Sequence, residues 1–241
     1  MDKKCLINQP AGLGDIMFCQ KIADRFIEEG YDVVWPVIPQ FISIKNHLIK
    51  DGLTFCSEDE DFIMKEAMWG DSRCLKTDDM SVIYIPLRYA DRYISGSVMD
   101  AKYAFCDLEI GDWRDAFPLT RDESREEELV NHLGISDDEE FILVNNQYGS
   151  PPGTITREID APDNIRQIKM SYIDGYSLFD WIGVMAKAKE IHTVETSVCY
   201  ILDKLVEDIQ PDRLVMYSKK HPIGFDHLAN VYKREDWEKI V

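Results

Sequence analysis

Cys5-Leu6-Ile7-Asn8-Gln9-Pro10-Ala11-Gly12-Leu13-Gly14-Asp15-Ile16 is the stretch on which the fold turns. A short apolar run ends at Pro10 and two glycines, and from Asp15 the apolar period changes. Ile16, Cys19, Ile22, Ala23, Phe26 and Ile27 recur at helical spacing until Gly30 ends the pattern. Asp32-Val33-Val34-Trp35-Pro36-Val37 then reads as a second strand. Strand, glycine turn, helix and strand in this order make a βαβ unit, whose crossover is right-handed in nearly all cases.

Working outward, Leu53–Cys56 and Val82–Ile85 are predicted strands of the same sheet. Thr120-Arg121-Asp122-Glu123 has capping-box form, and Leu129, Val130 and Leu133 give a helix stopped by Gly134. The domain junction is placed on this helix or its flanks, residues 118–138, giving an N-terminal domain over 1–125 and a C-terminal domain over 126–241. Phe141-Ile142-Leu143-Val144 is the continuous apolar run of a strand covered on both faces. After a Pro/Gly loop (Ser150 to Pro162) comes a strand at Arg166–Met170. Ser177 then caps a helix presenting Leu178, Trp181, Ile182, Met185 and Ala186. Ile191–Val194 is a strand and Ser197–Glu207 a helix with Val198, Ile201, Leu202 and Leu205 inward. Leu214–Tyr217 is the last strand, and 226–240 is read as a terminal helix carrying Leu228, Val231 and Trp237. Two consecutive parallel α/β sets predict two Rossmann-like lobes facing across a cleft.

The composition bounds what these lobes can do. In 241 residues, 45 Asp and Glu against 27 Lys and Arg give a net charge of −18, which repels phosphate backbones and argues against nucleic acid as a partner. A small anionic ligand remains compatible, because a few N–H groups at a helix start bind phosphate locally. No run approaches the ~18 apolar residues of a membrane span, and residues 1–20 lack a signal-peptide core, so the expectation is a soluble cytoplasmic chain. Six cysteines without a C-x-x-C pair and five histidines without an H-x-x-x-H pair give no support to structural zinc or thioredoxin-type chemistry. Free thiols in a reducing compartment are expected.

Three stretches could carry chemistry. In the first turn, Gly12 and Gly14 allow a sharp bend and a close approach to a ligand, and Asp15 is either a helix N-terminal carboxylate or a base facing the cleft. The full dinucleotide fingerprint is absent, since Met17 occupies the third glycine position and no acid ends the second strand. In the second, Val194-Glu195-Thr196-Ser197, a strand end delivers an acid and two hydroxyls to the first turn of a helix. That junction either binds a pyrophosphate and sugar hydroxyls or is ordinary capping. The third, Asn145-Asn146-Gln147-Tyr148-Gly149, offers amides and an aromatic to a sugar or base, or is a plain turn. Arg88 and Tyr89 follow the strand at 82–85 on the rim of the first lobe, where Arg88 binds a ligand or pairs with surface acid. His192 is read as a core or surface residue, and Asp59-x-Asp61 as a chance match to a metal-holding D-x-D in an acidic stretch.

Together these features resemble the glycosyltransferases of the GT-B fold, nearest to the ADP-heptose:lipopolysaccharide heptosyltransferase family. Ala11-Gly12-Leu13-Gly14-Asp15-Ile16, with the helix and the Tyr31–Val34 strand after it, is similar to that family's N-terminal opening. Ser177–Ala188 and Val194–Ile201 resemble its C-terminal donor-site segment. The resemblance implies inverting transfer of a sugar from a nucleotide-diphosphate sugar to the hydroxyl of a carbohydrate acceptor. It implies no required metal and no cofactor beyond the nucleotide-sugar as co-substrate. Asp15 matches the catalytic base, with the acceptor near Gly12, Gly14 and Arg88. The donor is expected at Asn145, Asn146, Gln147, Tyr148, Glu195, Thr196 and Ser197, with Arg157 the nearest cation for the leaving diphosphate. The chain departs from the family pattern at Glu195 for Asp, Ser197 for Gly and Tyr200 for His, lacks the phosphate-binding lysine after the first strand of the second lobe, and is trimmed in size. Two other functions share these features: a non-catalytic nucleotide- or sugar-binding module, and a nicotinamide-dependent oxidoreductase.

Overall fold

The computed structural model describes residues 2–63, 65, 74–76, 80–94, 97–149, 152–219, 225 and 231–241. The chain divides into two compact units, Met1–Thr120 and Arg121–Val241. Among the described residues, no helix is long and apolar enough to cross a membrane.

The first unit contains β1 (Asp2–Ile7), α1 (Leu13–Phe18), α2 (Gln20–Glu28), β2 (Asp32–Val37), β3 (Leu53–Ser57), β4 (Cys74–Lys76), β5 (Met80–Ile85) and α3 (Val98–Phe105). Its sheet runs β3-β2-β1-β5-β4, parallel except for β4, which pairs antiparallel with β5. β1 is central because Cys5, Leu6 and Ile7 are apolar on both faces and fully buried. The helix expected to run unbroken from Asp15 is two helices, breaking at the buried Cys19, where the amide donates to the Asp15 carbonyl (3.0 Å). α2 stops as expected at Gly30. There a φ of 82° lets the Gly30 amide reach the Ile27 carbonyl (2.9 Å) and the Tyr31 amide reach Phe26 (2.9 Å).

The second unit contains α4 (Glu123–His132), β6 (Phe141–Asn145), a hairpin of β7 (Gln147–Gly149) and β8 (Pro152–Thr154), β9 (Arg166–Lys169), α5 (Ile182–Lys187), β10 (Glu190–Val194), α6 (Ser197–Lys204), β11 (Arg213–Tyr217) and β12 (Glu238–Ile240). Its main sheet is wholly parallel, in the order β12-β11-β10-β6-β9. β6 is buried along its whole length, as its unbroken apolar run predicts. α4 is capped by Asp122, whose carboxylate accepts from the Arg125 amide (3.2 Å), rather than by Thr120. Ser177 accepts from the Phe179 amide (3.2 Å), but it opens a short 3-10 turn (Phe179–Trp181) before α5, and Ala186 is exposed where Ala188 is buried.

The terminal helix over 226–240 is corrected. Leu228 lies outside the described residues, whereas 232–237 are not helical and Glu238–Ile240 is β12, parallel to β11. The fully buried Asp203 carboxylate accepts from the amides of Lys233 (2.8 Å) and Arg234 (2.5 Å), so these amides do not close helical turns. Val231 and Trp237 are buried as expected, on an extended segment instead of a helix face.

Candidate active site

In the first unit the strand ends converge on the turn after β1. The Asn8 amide donates to the Ile85 carbonyl (2.8 Å), and the Asn8 carbonyl accepts from the Arg88 amide (3.0 Å). Trp35 Nε1 donates to the Gln9 carbonyl (3.0 Å), and Ile38 N to the Pro10 carbonyl (2.9 Å). The turn is therefore fixed from β2 on one side and β5 on the other. Gly12 follows in the left-handed region at φ 81°, and a Cβ there would collide with the Asp15 carboxylate. This is a local reason for glycine at 12. Gly14 lies within α1, whose first turn carries Asp15.

Asp15 forms an ion pair with Lys102 Nζ, whose ammonium also donates to Gln9 Oε1 (2.9 Å). The Lys102 side chain is 3% exposed and that of Asp15 30%, so a buried cation holds a carboxylate that still reaches solvent. Lys102 is absent from the sequence reading. The one signal for it is a lysine in register with the buried Met99 and Cys106 on the apolar side of α3. Arg88 is exposed, with its guanidinium 5.0 Å from the Tyr89 ring centroid, and Arg92 lies 4.2 Å from the same ring.

In the second unit, Asn145 ends β6 and reaches across to β10. Its Nδ2 donates to Thr193 Oγ1 (2.9 Å) and Thr196 Oγ1 (3.2 Å), and its Oδ1 accepts from the Gln147 amide (3.4 Å). Thr196 is the N-cap of α6, yet its hydroxyl serves Asn145 and not the helix. The half-buried Ser197 begins the helix, and Glu195 is fully buried, with its amide donating to the Tyr217 carbonyl (3.1 Å). Asn145 and Glu195 thus lie beneath the turn, and Thr196 and Ser197 lie on it.

Asn146 is half-buried, its carbonyl accepting from Ile155 (3.0 Å), and Gln147 is exposed on the β7–β8 hairpin. The Tyr148 ring packs over Gly153, where a Cβ would come within 2.7 Å of it, and Lys219 Nζ lies 5.8 Å from its centroid. Lys219, directly after β11, is a second cation the sequence reading missed, and its charge acts on Cys199 in the first turn of α6. Arg157 donates to the Val241 carbonyl and lies 5.5 Å over the Tyr217 ring. Asp59 and Asp61 are exposed, and no group of three or more metal-ligating side chains occurs among the described residues. Burial pushes the Cys19 and Cys199 thiols up to about 12, so neither is a nucleophile at neutral pH.

No family model matches the chain, and no curated protein matches it in sequence. Solved structures match it in fold. The structure of a glycosyl transferase family 9 protein from Veillonella parvula DSM 2008 is similar with a TM-score of 0.57 and 10% identity, over 100% of this chain and 87% of that one. That of the E. coli ADP-heptose LPS heptosyltransferase II is similar with a TM-score of 0.52 and 11% identity, over 98% and 90%. The chain thus has the α/β fold of the GT-B glycosyltransferases, as the sequence resemblance implies, at an identity that speaks for the fold alone.

Proposed function

We infer that the protein is a glycosyltransferase that moves a sugar from a nucleotide-diphosphate sugar to an acceptor hydroxyl, with inversion and without a metal. The observation that carries this reading is the Asp15 carboxylate, presented by a rigid turn at the end of β1 and held by Lys102. In the reaction Asp15 takes the proton of the acceptor hydroxyl as its oxygen attacks the anomeric carbon. The bond from that carbon to the diphosphate oxygen breaks on the opposite face, so the configuration inverts. The donor is held by the second unit: the first-turn amides of α6 with Ser197, and the cations Lys219 and Arg157, stabilise the negative charge of the leaving diphosphate. Tyr148, Asn146 and Gln147 are offered to the base or sugar. Asn145 and Glu195 shape the turn from below.

One observation favours a non-catalytic binding module, since a carboxylate already engaged by an ammonium is also what a purely structural ion pair looks like. Turnover separates the two readings. The protein is screened by thermal shift and transfer assay with UDP-, GDP-, ADP-, CMP- and dTDP-sugars in EDTA. A matching donor at 100 times its Kd stabilises the fold by ~2.7 kcal/mol, and the enzyme reading requires transfer as well. Binding without transfer to any carbohydrate acceptor rejects the enzyme, and strict dependence on Mn²⁺ rejects the metal-free mechanism.

A further inference from the structure

A chain of hydrogen bonds in the second unit runs from a loop into the buried sheet. The Asp160 amide donates to Tyr217 Oη (3.1 Å). The fully buried His192 of β10 lies with Nδ1 2.9 Å from Tyr217 Oη and Nε2 3.0 Å from Glu190 Oε2. The two rings are stacked, with centroids 6.0 Å apart. A carboxylate oxygen only accepts, so Nε2 carries the proton and Nδ1 is the acceptor. The Tyr217 hydroxyl then donates to Nδ1, and its oxygen receives the Asp160 amide. With a neutral imidazole, every donor in this chain meets an acceptor.

A second proton has only Nδ1 to occupy, where it meets the hydroxyl hydrogen of Tyr217. Tyr217 must then turn its hydrogen away from Nδ1, and its oxygen faces two donors at once, the imidazolium and the Asp160 amide, which weakens its hold on the amide. The surroundings oppose that proton. Burial is the main cause holding the His192 pKa below its ordinary value, with Arg213 acting in the same direction and Glu190 against it. Among the described residues, the titratable and charged groups facing this ring are Glu190 on its own strand, Tyr217 and Arg213 of β11, Asp160 of the loop and Glu238 of β12. On the other side its register partner in β6 is Val144. Arg213 also donates to the Asp160 carbonyl (3.0 Å) and carboxylate (3.2 Å) while it pairs with Glu238 of β12, so Asp160 is held both by Tyr217 and by Arg213.

We propose that His192 is a positioning residue: in its neutral form it fixes, through Tyr217, the Asp160 end of the segment 157–160 that carries Arg157, and protonation of His192 loosens that segment by leaving Asp160 to Arg213 alone. The consequence for donor binding rests on the reading of Arg157 as a diphosphate ligand, whereas the response of the segment does not.

Hydrogen exchange on the full chain tests the proposal, comparing about pH 7.5 with about pH 4.5, below the ordinary histidine range because burial lowers the His192 pKa. After correction for intrinsic rates, peptides spanning 155–163 exchange about three- to tenfold faster at the lower pH, the scale of one lost hydrogen bond. Peptides covering 141–145 do not change. His192→Asn keeps an acceptor near the Nδ1 position and takes no proton, so its 155–163 exchange is flat across pH. Tyr217→Phe exchanges fast at both values. A flat wild type, or an unchanged pH response in His192→Asn, overturns the proposal. Where His192→Asn does not fold, a wild-type pH response surviving in Tyr217→Phe overturns it equally. Calorimetric binding of inorganic pyrophosphate, the part common to all nucleoside diphosphates, follows the same variants. Affinity that falls with segment release supports both readings. Affinity that stays constant while the segment opens leaves the positioning role standing and removes Arg157 from the donor site.

Discussion

Asp15 is legible in sequence because Gly12, Gly14 and the change of apolar period all fall within a few residues of it. Its partner is not, since Lys102 lies 87 residues further on and only tertiary folding brings the ammonium to the carboxylate. The pair yields two separable expectations. Asp15→Asn keeps an oxygen for Lys102 but removes the base, so transfer falls about 10²–10⁴-fold, while pyrophosphate affinity of the second unit is unchanged. An equally active Asp15→Asn protein ends the catalytic assignment. Lys102→Met removes the buried charge and leaves a carboxylate that water can reach. Removing one partner of a buried pair costs about 3–5 kcal/mol, and less where the carboxylate left behind is 30% exposed to water, so the denaturation midpoint falls by part of that amount. Turnover also drops, because nothing then fixes the direction of the carboxylate. The cations of the second unit divide in the same way. Arg157 was visible as a charge in a loop. The place of Lys219 over Tyr148 depends on where a hairpin folds, and no local pattern encodes it.

At the scale of elements, the strands that lie inside a sheet are legible from their local pattern of apolar and β-branched residues. β6 and β10 lie inside a parallel sheet and need no partner information to be recognised. The sequence disguises β12 as helix because its three residues carry no apolar run, and Leu228, Val231 and Trp237 mimic a helical face. What decides against the helix is Asp203, buried on α6 and accepting from two amides some thirty residues later. Removing that acceptor leaves the amides of Lys233 and Arg234 without it. An unsatisfied buried donor costs about 1–3 kcal/mol, and Lys233 lies at the surface, where water replaces part of the loss. Asp203→Ala therefore lowers unfolding free energy by about 3 kcal/mol and Asp203→Asn by about 1 kcal/mol, read by urea denaturation. Equal costs for the two variants would show that charge, and not acceptance of the amides, holds the C-terminal segment.

For the whole molecule the governing quantity is the net charge of −18, set against ion pairs that, among the described residues, mostly have at least one exposed partner. Exposed pairs each contribute about 0–1 kcal/mol, whereas an excess of one sign repels itself across the surface. Salt screens both, and the two terms predict opposite responses. Repulsion dominates at pH 7.5, so raising ionic strength from about 0.02 M to about 0.5 M raises the calorimetric transition temperature. Near pH 4.6, where the chain carries no net charge, the repulsion is gone and the same salt step lowers the transition or leaves it unchanged. Acidification at fixed high salt isolates the remaining contribution. His192 has a lowered pKa in the fold, so the unfolded chain binds its proton more readily and stability falls as pH drops below about 6.5. Asp137, Glu139, Asp236 and Glu238 are held down by Lys187, Arg166, Arg234 and Arg213 respectively. Their stabilisation is complete above about pH 4.5 and is lost as pH falls further through their folded values. Two successive declines on acidification at high salt are therefore expected. The first disappears in His192→Asn, and a salt step that lowers the transition at pH 7.5 would show that the ion pairs outweigh the repulsion.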